Sequence, residues 1–409
     1  ALISALIKEQ YDLVKANDKH AVCCTNLYGE TMELYKDGFL HLPEDVIKIW
    51  ADNGYGKMVS RRQGNSNPRV PALPPRGDTS AHGIYYHASF YDLQAASHIT
   101  MLPNSTEFVA RELADVMAHG ADDYWLVNCS NVKPHAFLLD LIARCWRDGT
   151  VDAGQQCIAY TAAYYGLLHR CEIAQCLVDY AQFAVPYGSN ADDRAGDQFY
   201  NHVPRMLISQ FVQDRTAPAD DLRWLCEQPT LAGQLQHCTA VFDKAVQSYA
   251  AYRRECEKVL AELTGRPRVL FMDNILLQAQ LYDLWAQGAA FVCKALDAGF
   301  TADWQHCFYY AGCAKRLYAL AYRAMQDCEH GKWVGYYANE CQTDVRQTVQ
   351  VCGYLMSFAR TLGEGPHYYA WMREFGDPED ERRIMLILNT EPHPGDDDLW
   401  LLMEQRWGE

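Results

Sequence analysis

The feature that most constrains this chain is a unit repeated four times in its first 150 residues: a short apolar run followed by an amphipathic helical pattern. The runs are 21–25, 46–52, 83–88 and 124–129. Apolar runs without strict alternation predict strands covered on both faces, as in parallel sheets. Helices are predicted at 3–16, 31–37, 105–119 and 135–147. Asn104 is placed to cap the third, with Glu107 at the reciprocal position. Strands alternating with helices make this an α/β region.

Four units are half of a (β/α)8 TIM-type barrel, which takes about 250 residues. A half barrel alone leaves two parallel edges unpaired and an apolar inner face bare, and both are unfavourable. The expectation is that 1–150 is the C-terminal half of such a barrel, completed by upstream sequence. Packing onto another chain is the alternative. A third reading, a complete open doubly wound domain, lacks support because no GxGxxG loop follows the first strand.

Beyond about residue 152 the strand signals stop. Long helical patterns at 155–182, 197–213, 231–263, 268–298, 302–328 and 345–361 predict an all-α bundle over 151–365. In 231–263 the apolar residues recur every three and four positions, while Lys244, Arg253, Arg254 and Lys258 supply a polar face. Tyr160, Tyr164, Tyr165, Tyr309, Tyr310, Tyr318 and Tyr322 read first as core and second as a sugar-stacking surface. A short helical segment, 366–409, has starts at 377–379 and 396–398.

The chain has 409 residues, 49% of them hydrophobic, enough for two ordinary cores. Its net charge of -16 is spread along the chain and argues against nucleic acid as a partner. No apolar run reaches the roughly 18 to 20 residues of a membrane helix. The first residues follow an amphipathic helix pattern rather than that of a targeting peptide. Sixteen cysteines are scattered without a CxxC pair. The neighbours His237–Cys238, His306–Cys307 and Cys328–His330 lack metal-ligand spacing. Buried, inert thiols are the expectation, with no metal and no cofactor, and so many free thiols favour a reducing, cytoplasmic compartment over a secreted or periplasmic one.

In a parallel barrel the chemistry sits where strands end. Those positions carry Thr25, Tyr28 and Glu30, then Asp52, Asn53 and Tyr55, then Tyr85, Tyr86 and His87, then Asn128, Asn131 and Lys133. Carboxylates, amides and phenols suit a polyhydroxylated ligand. Arg61, Arg62 and Arg69 follow the second strand in a loop rich in Gly, Asn and Pro, where guanidinium groups can grip a carboxylate. Each has a plain rival. Glu30 opens a helix, where the dipole favours a carboxylate anyway. Asp52–Gly54 reads equally as a turn, Tyr85–His87 as core, and Lys133 as a solvated charge.

Three segments together resemble glycoside hydrolase family 115, the xylan alpha-glucuronidases. They are 42–54 (LPEDVIKIWADNG), 83–87 (GIYYH), and the run from Asn128 to Lys133 and Pro134. The resemblance covers about residues 20 to 140 and reaches the helical region in architecture only. It implies removal of glucuronic or 4-O-methyl-glucuronic acid, alpha-1,2-linked to the xylose of glucuronoxylan, with inversion. Tyr28 and Glu30 match the family's Tyr-x-Glu, and Asn53 its active-site asparagine.

Glu30 is then the expected proton donor, with Asp52 as the second catalytic carboxylate if its spacing suits. Tyr28, Asn53, Tyr55, Tyr86, His87 and Lys133 are the expected substrate-binding groups. The resemblance also implies that further site residues lie upstream, that 1–409 alone is inactive, and that the helical domain forms a homodimer. Two departures put substrate preference in doubt: Tyr55 stands where many members have Trp, and Asn131 where Asp is usual. A non-catalytic carbohydrate-binding or assembly segment is the rival reading.

Overall fold

A computed structural model of the chain describes residues 2–61, 68–92, 94–338, 340–365, 370–377, 379 and 394–408. By compactness it divides into two units, Ala1–Asp197 with Lys258–Ile275, and Gln198–Glu257 with Leu276–Glu409.

The first unit opens with α1 (Leu2–Asn17), β1 (Cys24–Leu27), α2 (Glu30–Lys36), β2 (Ile47–Ala51) and β3 (His82–His87). It continues with α3 (Thr106–Ala118), β4 (Tyr124–Asn128), α4 (Val132–Asp148), α5 (Ala153–Tyr165) and α6 (Arg170–Phe183). The four strands form one parallel sheet in the order β1-β2-β3-β4, without the reversal of a doubly wound sheet. Partners across a parallel sheet share a face, so the register sorts the side chains.

Leu27, Trp50, Ile84, Tyr86 and Trp125 fall on one face and are all buried. Tyr35 of α2 meets Trp50 edge-on at 5.8 Å, and Trp146 of α4 stacks on Trp125 at 5.7 Å, so helices cover this face. Asn26, Ile49, Ala51, Tyr85, His87, Tyr124, Leu126 and Asn128 fall on the other. There the central Ile49 and Ala51 are buried, whereas Asn26, Tyr124 and Leu126 on the outer strands are exposed.

Three helix expectations change. Ser105, not Asn104, caps α3, its hydroxyl accepting from Phe108 N at 3.1 Å. Asn104 is buried and donates instead to Tyr55 O at 2.8 Å. The single helix expected over 155–182 is two, α5 and α6, parted by a turn from Gly166 to His169, both at positive φ. The helix expected from 268 begins as α9 (Gly265–Phe271), widens into a π segment at Met272–Leu276 and resumes as α10 (Leu277–Phe300). The units also cut the chain differently from a division at residue 150, since α5 packs against α3, α4, α6 and α9.

The second unit takes in α7 (Asp197–Gln213) from Gln198 and α8 (Leu231–Glu262) to Glu257. It adds α10, α11 (Trp304–Asp327), α12 (Val345–Gly363), α13 (Ala370–Gly376) and α14 (Asp396–Trp407). α11 packs between α10 and α12. Tyr200 meets Tyr249 and Tyr282 edge-on, Tyr249 stacks on Tyr282 at 4.8 Å, and Tyr318 donates to Tyr200 O at 2.5 Å. Of the seven tyrosines read as core, Tyr160, Tyr165, Tyr309 and Tyr318 are buried and Tyr164 is exposed. The start expected at 377–379 includes Pro378, which lies outside the described residues. No helix among the described residues is long and apolar enough to cross a membrane.

Gly83 sets the fit of β3 against β4. A Cβ there would lie 1.9 Å from Tyr124 O, a backbone atom of the paired strand. Gly83→Ala should therefore lower stability by about 3 kcal/mol, the upper range for overpacking. Urea unfolding checks this, with a reduced midpoint at unchanged slope.

Candidate active site

β1 runs into Tyr28, Gly29 and Glu30. Gly29 sits at φ 54°, where a Cβ would approach Arg61 O to 2.9 Å, so this turn requires glycine. Thr31 Oγ1 accepts from Tyr28 N at 2.9 Å and donates to Tyr28 O at 2.8 Å, fixing the start of α2. Glu30 is the first residue of α2 and is exposed.

β2 delivers Asp52 and Asn53 into a turn that the Asn53 side chain closes. Its Oδ1 accepts from Tyr55 N at 3.0 Å and Lys57 N at 3.2 Å, and its Nδ2 donates to Asp192 at 2.8 Å. Gly54, at φ 86°, packs so tightly under Phe90 that a Cβ would fall 2.3 Å from the ring. Asp52 is buried, with Oδ2 accepting from Gly56 N at 2.9 Å and Oδ1 hydrogen-bonded to His87 Nδ1.

The His87 ring lies 4.5 Å from Tyr85 and 4.8 Å from Phe90. Asn128 donates to Tyr85 OH at 2.9 Å. Beside them Arg61 donates to Asp92 and to Gln94, both at 2.9 Å, with its guanidinium over the Tyr55 and Phe90 rings. Tyr55 OH donates to Asp92. Burial raises the Tyr28 phenol above its ordinary value, Arg61 lowers it, and Asp52 and Tyr85 raise it further. Burial, then Asp92, pushes Tyr55 well above its ordinary value. Both phenols are protonated donors at neutral pH.

The structure therefore brings Tyr28, Asp52 and His87 together and adds Tyr85, Asn128, Asp92 and Arg61. It does not tie Glu30 to them: Glu30 makes no hydrogen bond or ion pair with a described residue. Tyr86 is turned to the helix-covered face, where it donates to Gly56 O at 3.0 Å. Tyr55 and Asn53 are buried and spent on Asp92 and Asp192. Arg69 grips Asp192 with both terminal nitrogens, at 3.1 and 2.7 Å. Lys133 lies half-buried in the first turn of α4, and Arg62 is outside the described residues.

The period-two rule of strands was the signal for Tyr85, since His87 and Tyr85 must share a face and Tyr86 must not. Nothing local marks Asp192, 139 residues from Asn53. A cavity of about 840 Å³ bordered by Tyr35, Lys36, Pro71, Arg76 and His119 holds none of these groups.

The parallel sheet gathers carboxylate, imidazole, phenol and amide groups at its strand ends, the polar groups with which α/β proteins hold small polar molecules. Residues 1–187 match the family model Glycosyl hydrolase family 115. Among curated proteins none matches the chain. A solved family 115 4-O-methyl-alpha-glucuronidase, with specificity for decorated arabinogalactans, is similar at 13% identity with a TM-score of 0.49. The match covers 80% of this chain and 38% of that one, so the chain spans well under half its length.

His135 is fully buried, with Nε2 3.3 Å from His98 O and Nδ1 without a partner among the described residues. Burial pushes its imidazole down from 6.5 to about 4. Between those values the unfolded chain holds a proton that the folded chain refuses. This contribution is complete above pH 6.5 and is lost as pH falls toward 4. The loss should amount to about 3 kcal/mol. His135→Phe should flatten the fall of stability between pH 7 and 4 by that amount, read as urea unfolding at each pH.

Proposed function

We propose that this chain carries part of the active site of a glycoside hydrolase that removes glucuronic acid side chains from a polysaccharide. The substrate in this reading is glucuronoxylan or its oligosaccharides. The bond cleaved joins glucuronic or 4-O-methyl-glucuronic acid, alpha-1,2, to xylose, and cleavage inverts the anomeric carbon. The observation that carries the reading is the convergence of Tyr28, the Asp52–His87 pair, Tyr85 and Asn128 at successive strand ends inside the segment that matches the family.

In this mechanism Glu30 delivers a proton to the departing xylose oxygen, since its exposed position leaves the carboxyl open to a substrate. Tyr28, held as a phenol by burial, donates to the sugar. Asn53 acts through the turn it closes rather than by touching the ligand, because its amide is already used. Asp52 is likewise occupied at both oxygens.

We read the four-stranded sheet as half of a (β/α)8 barrel. The sequential strand order supports this, as does the exposure of Asn26, Tyr124 and Leu126 on one face of the outer strands. A homodimer through the helical region belongs to the same reading.

Glu30→Gln in the natural full-length polypeptide tests the assignment. Release of glucuronic acid from decorated xylo-oligosaccharide should fall by about 100-fold or more, mainly in kcat. Unchanged release would sink the role of Glu30. Proton NMR of the first product formed should show the beta anomer, and an alpha anomer would contradict inversion.

A further inference from the structure

An inverting hydrolysis needs a group that takes a proton from the attacking water. Of the two carboxylates brought forward by the sequence, Asp52 cannot readily do so. Its Oδ2 is occupied by Gly56 N–H and its Oδ1 by His87. His87 is the group this arrangement prepares. Its Nδ1 faces Asp52, which places the ring proton on Nδ1 and leaves Nε2 as a lone-pair acceptor. Nε2 has no hydrogen-bond partner among the described residues, and the ring as a whole is 1% exposed. The ring is fixed on two sides, by Tyr85 at 4.5 Å and Phe90 at 4.8 Å. A carboxylate that sets the tautomer of an imidazole whose other nitrogen is open is the usual construction of a histidine base.

We propose that Asp52 and His87 act as one unit in the glucuronidase reading above, with His87 Nε2 the proton acceptor for water and Asp52 its positioning residue. The step balances. A water O–H proton moves to Nε2 while the water oxygen bonds to the anomeric carbon. The bond from that carbon to the leaving oxygen breaks, and this oxygen takes the proton of the Glu30 carboxyl. After release, the imidazolium proton returns through solvent to the Glu30 carboxylate.

The turn makes Asp52→Asn a sharp test. Gly56 N–H needs an acceptor, so the Asn oxygen takes that place and its NH₂ faces His87 Nδ1. The ring proton then moves to Nε2 and the base is lost while the shape is kept.

In the natural full-length polypeptide, His87→Gln and Asp52→Asn should each lower kcat about 100-fold or more at little changed KM. Imidazole should restore at least about tenfold to His87→Ala, within what general-base catalysis supplies. Long-range ¹H–¹⁵N spectra of the wild type should show His87 protonated at Nδ1, which needs no variant to fold. A proton on Nε2 in the wild type overturns the proposal. So does a His87→Gln enzyme within threefold of wild-type kcat while Glu30→Gln is crippled, and in that case the glucuronidase reading stands. A wild type that releases glucuronic acid from no glucuronide removes that reading and this inference with it.

Discussion

The carboxylate of Asp52 is the point on which the site hangs. It stands buried at the end of β2, and a charge so placed is tolerated only when its oxygens are matched by donors. One donor is the amide of Gly56, available because the turn folds back on itself; the other is the ring of His87 on the next strand. Removing one partner of such a pair leaves an uncompensated buried charge, at about 3 to 5 kcal/mol. The turn, the β2–β3 pairing and the orientation of the imidazole are therefore one interaction seen from three sides. Gly83 extends the dependence, since its missing side chain lets β4 approach and brings Asn128 onto Tyr85.

Much of this was legible in the sequence for simple reasons. Continuous apolar runs separated by amphipathic helices leave little choice but parallel strands, and all four strands lie within a few residues of the expected positions. The strand ends followed, because polar and aromatic groups cluster where each run stops. What stayed hidden is what periodicity does not encode. Tyr85 and Tyr86 look alike in a list, and only the alternation of the strand sends one toward His87 and the other beneath the helices. Asp192 and Asp92 occupy loops with no pattern, yet they consume Asn53, Arg69, Tyr55 and Arg61. Asn104 and Ser105 are equally good caps by residue type, and the choice fell to Ser105 because Asn104 is drawn to Tyr55 O.

The helical unit obeys a different logic. Its interior is a set of interlocking tyrosine, phenylalanine and tryptophan rings, in which Tyr200, Tyr249, Tyr282 and Tyr318 are core residues. All sixteen cysteines are unpaired, and in the helices burial raises thiols such as Cys293 and Cys307 to about 12, where they are unreactive at neutral pH. The break at Gly166 and the π segment at Met272–Leu276 interrupt patterns that read as single helices, because both departures leave the apolar spacing on either side nearly intact.

In the proposed function, the strand ends of the parallel sheet form a uronic-acid site organised by Asp52 and His87. Titrating the ¹⁵N-labelled protein with glucuronic acid and with glucose tests it most directly. Shifts should be confined to Tyr28, His87, Tyr85, Asn128 and their neighbours, and be larger for the uronic acid than for the neutral sugar. Shifts centred elsewhere, or equal for the two sugars, would contradict it.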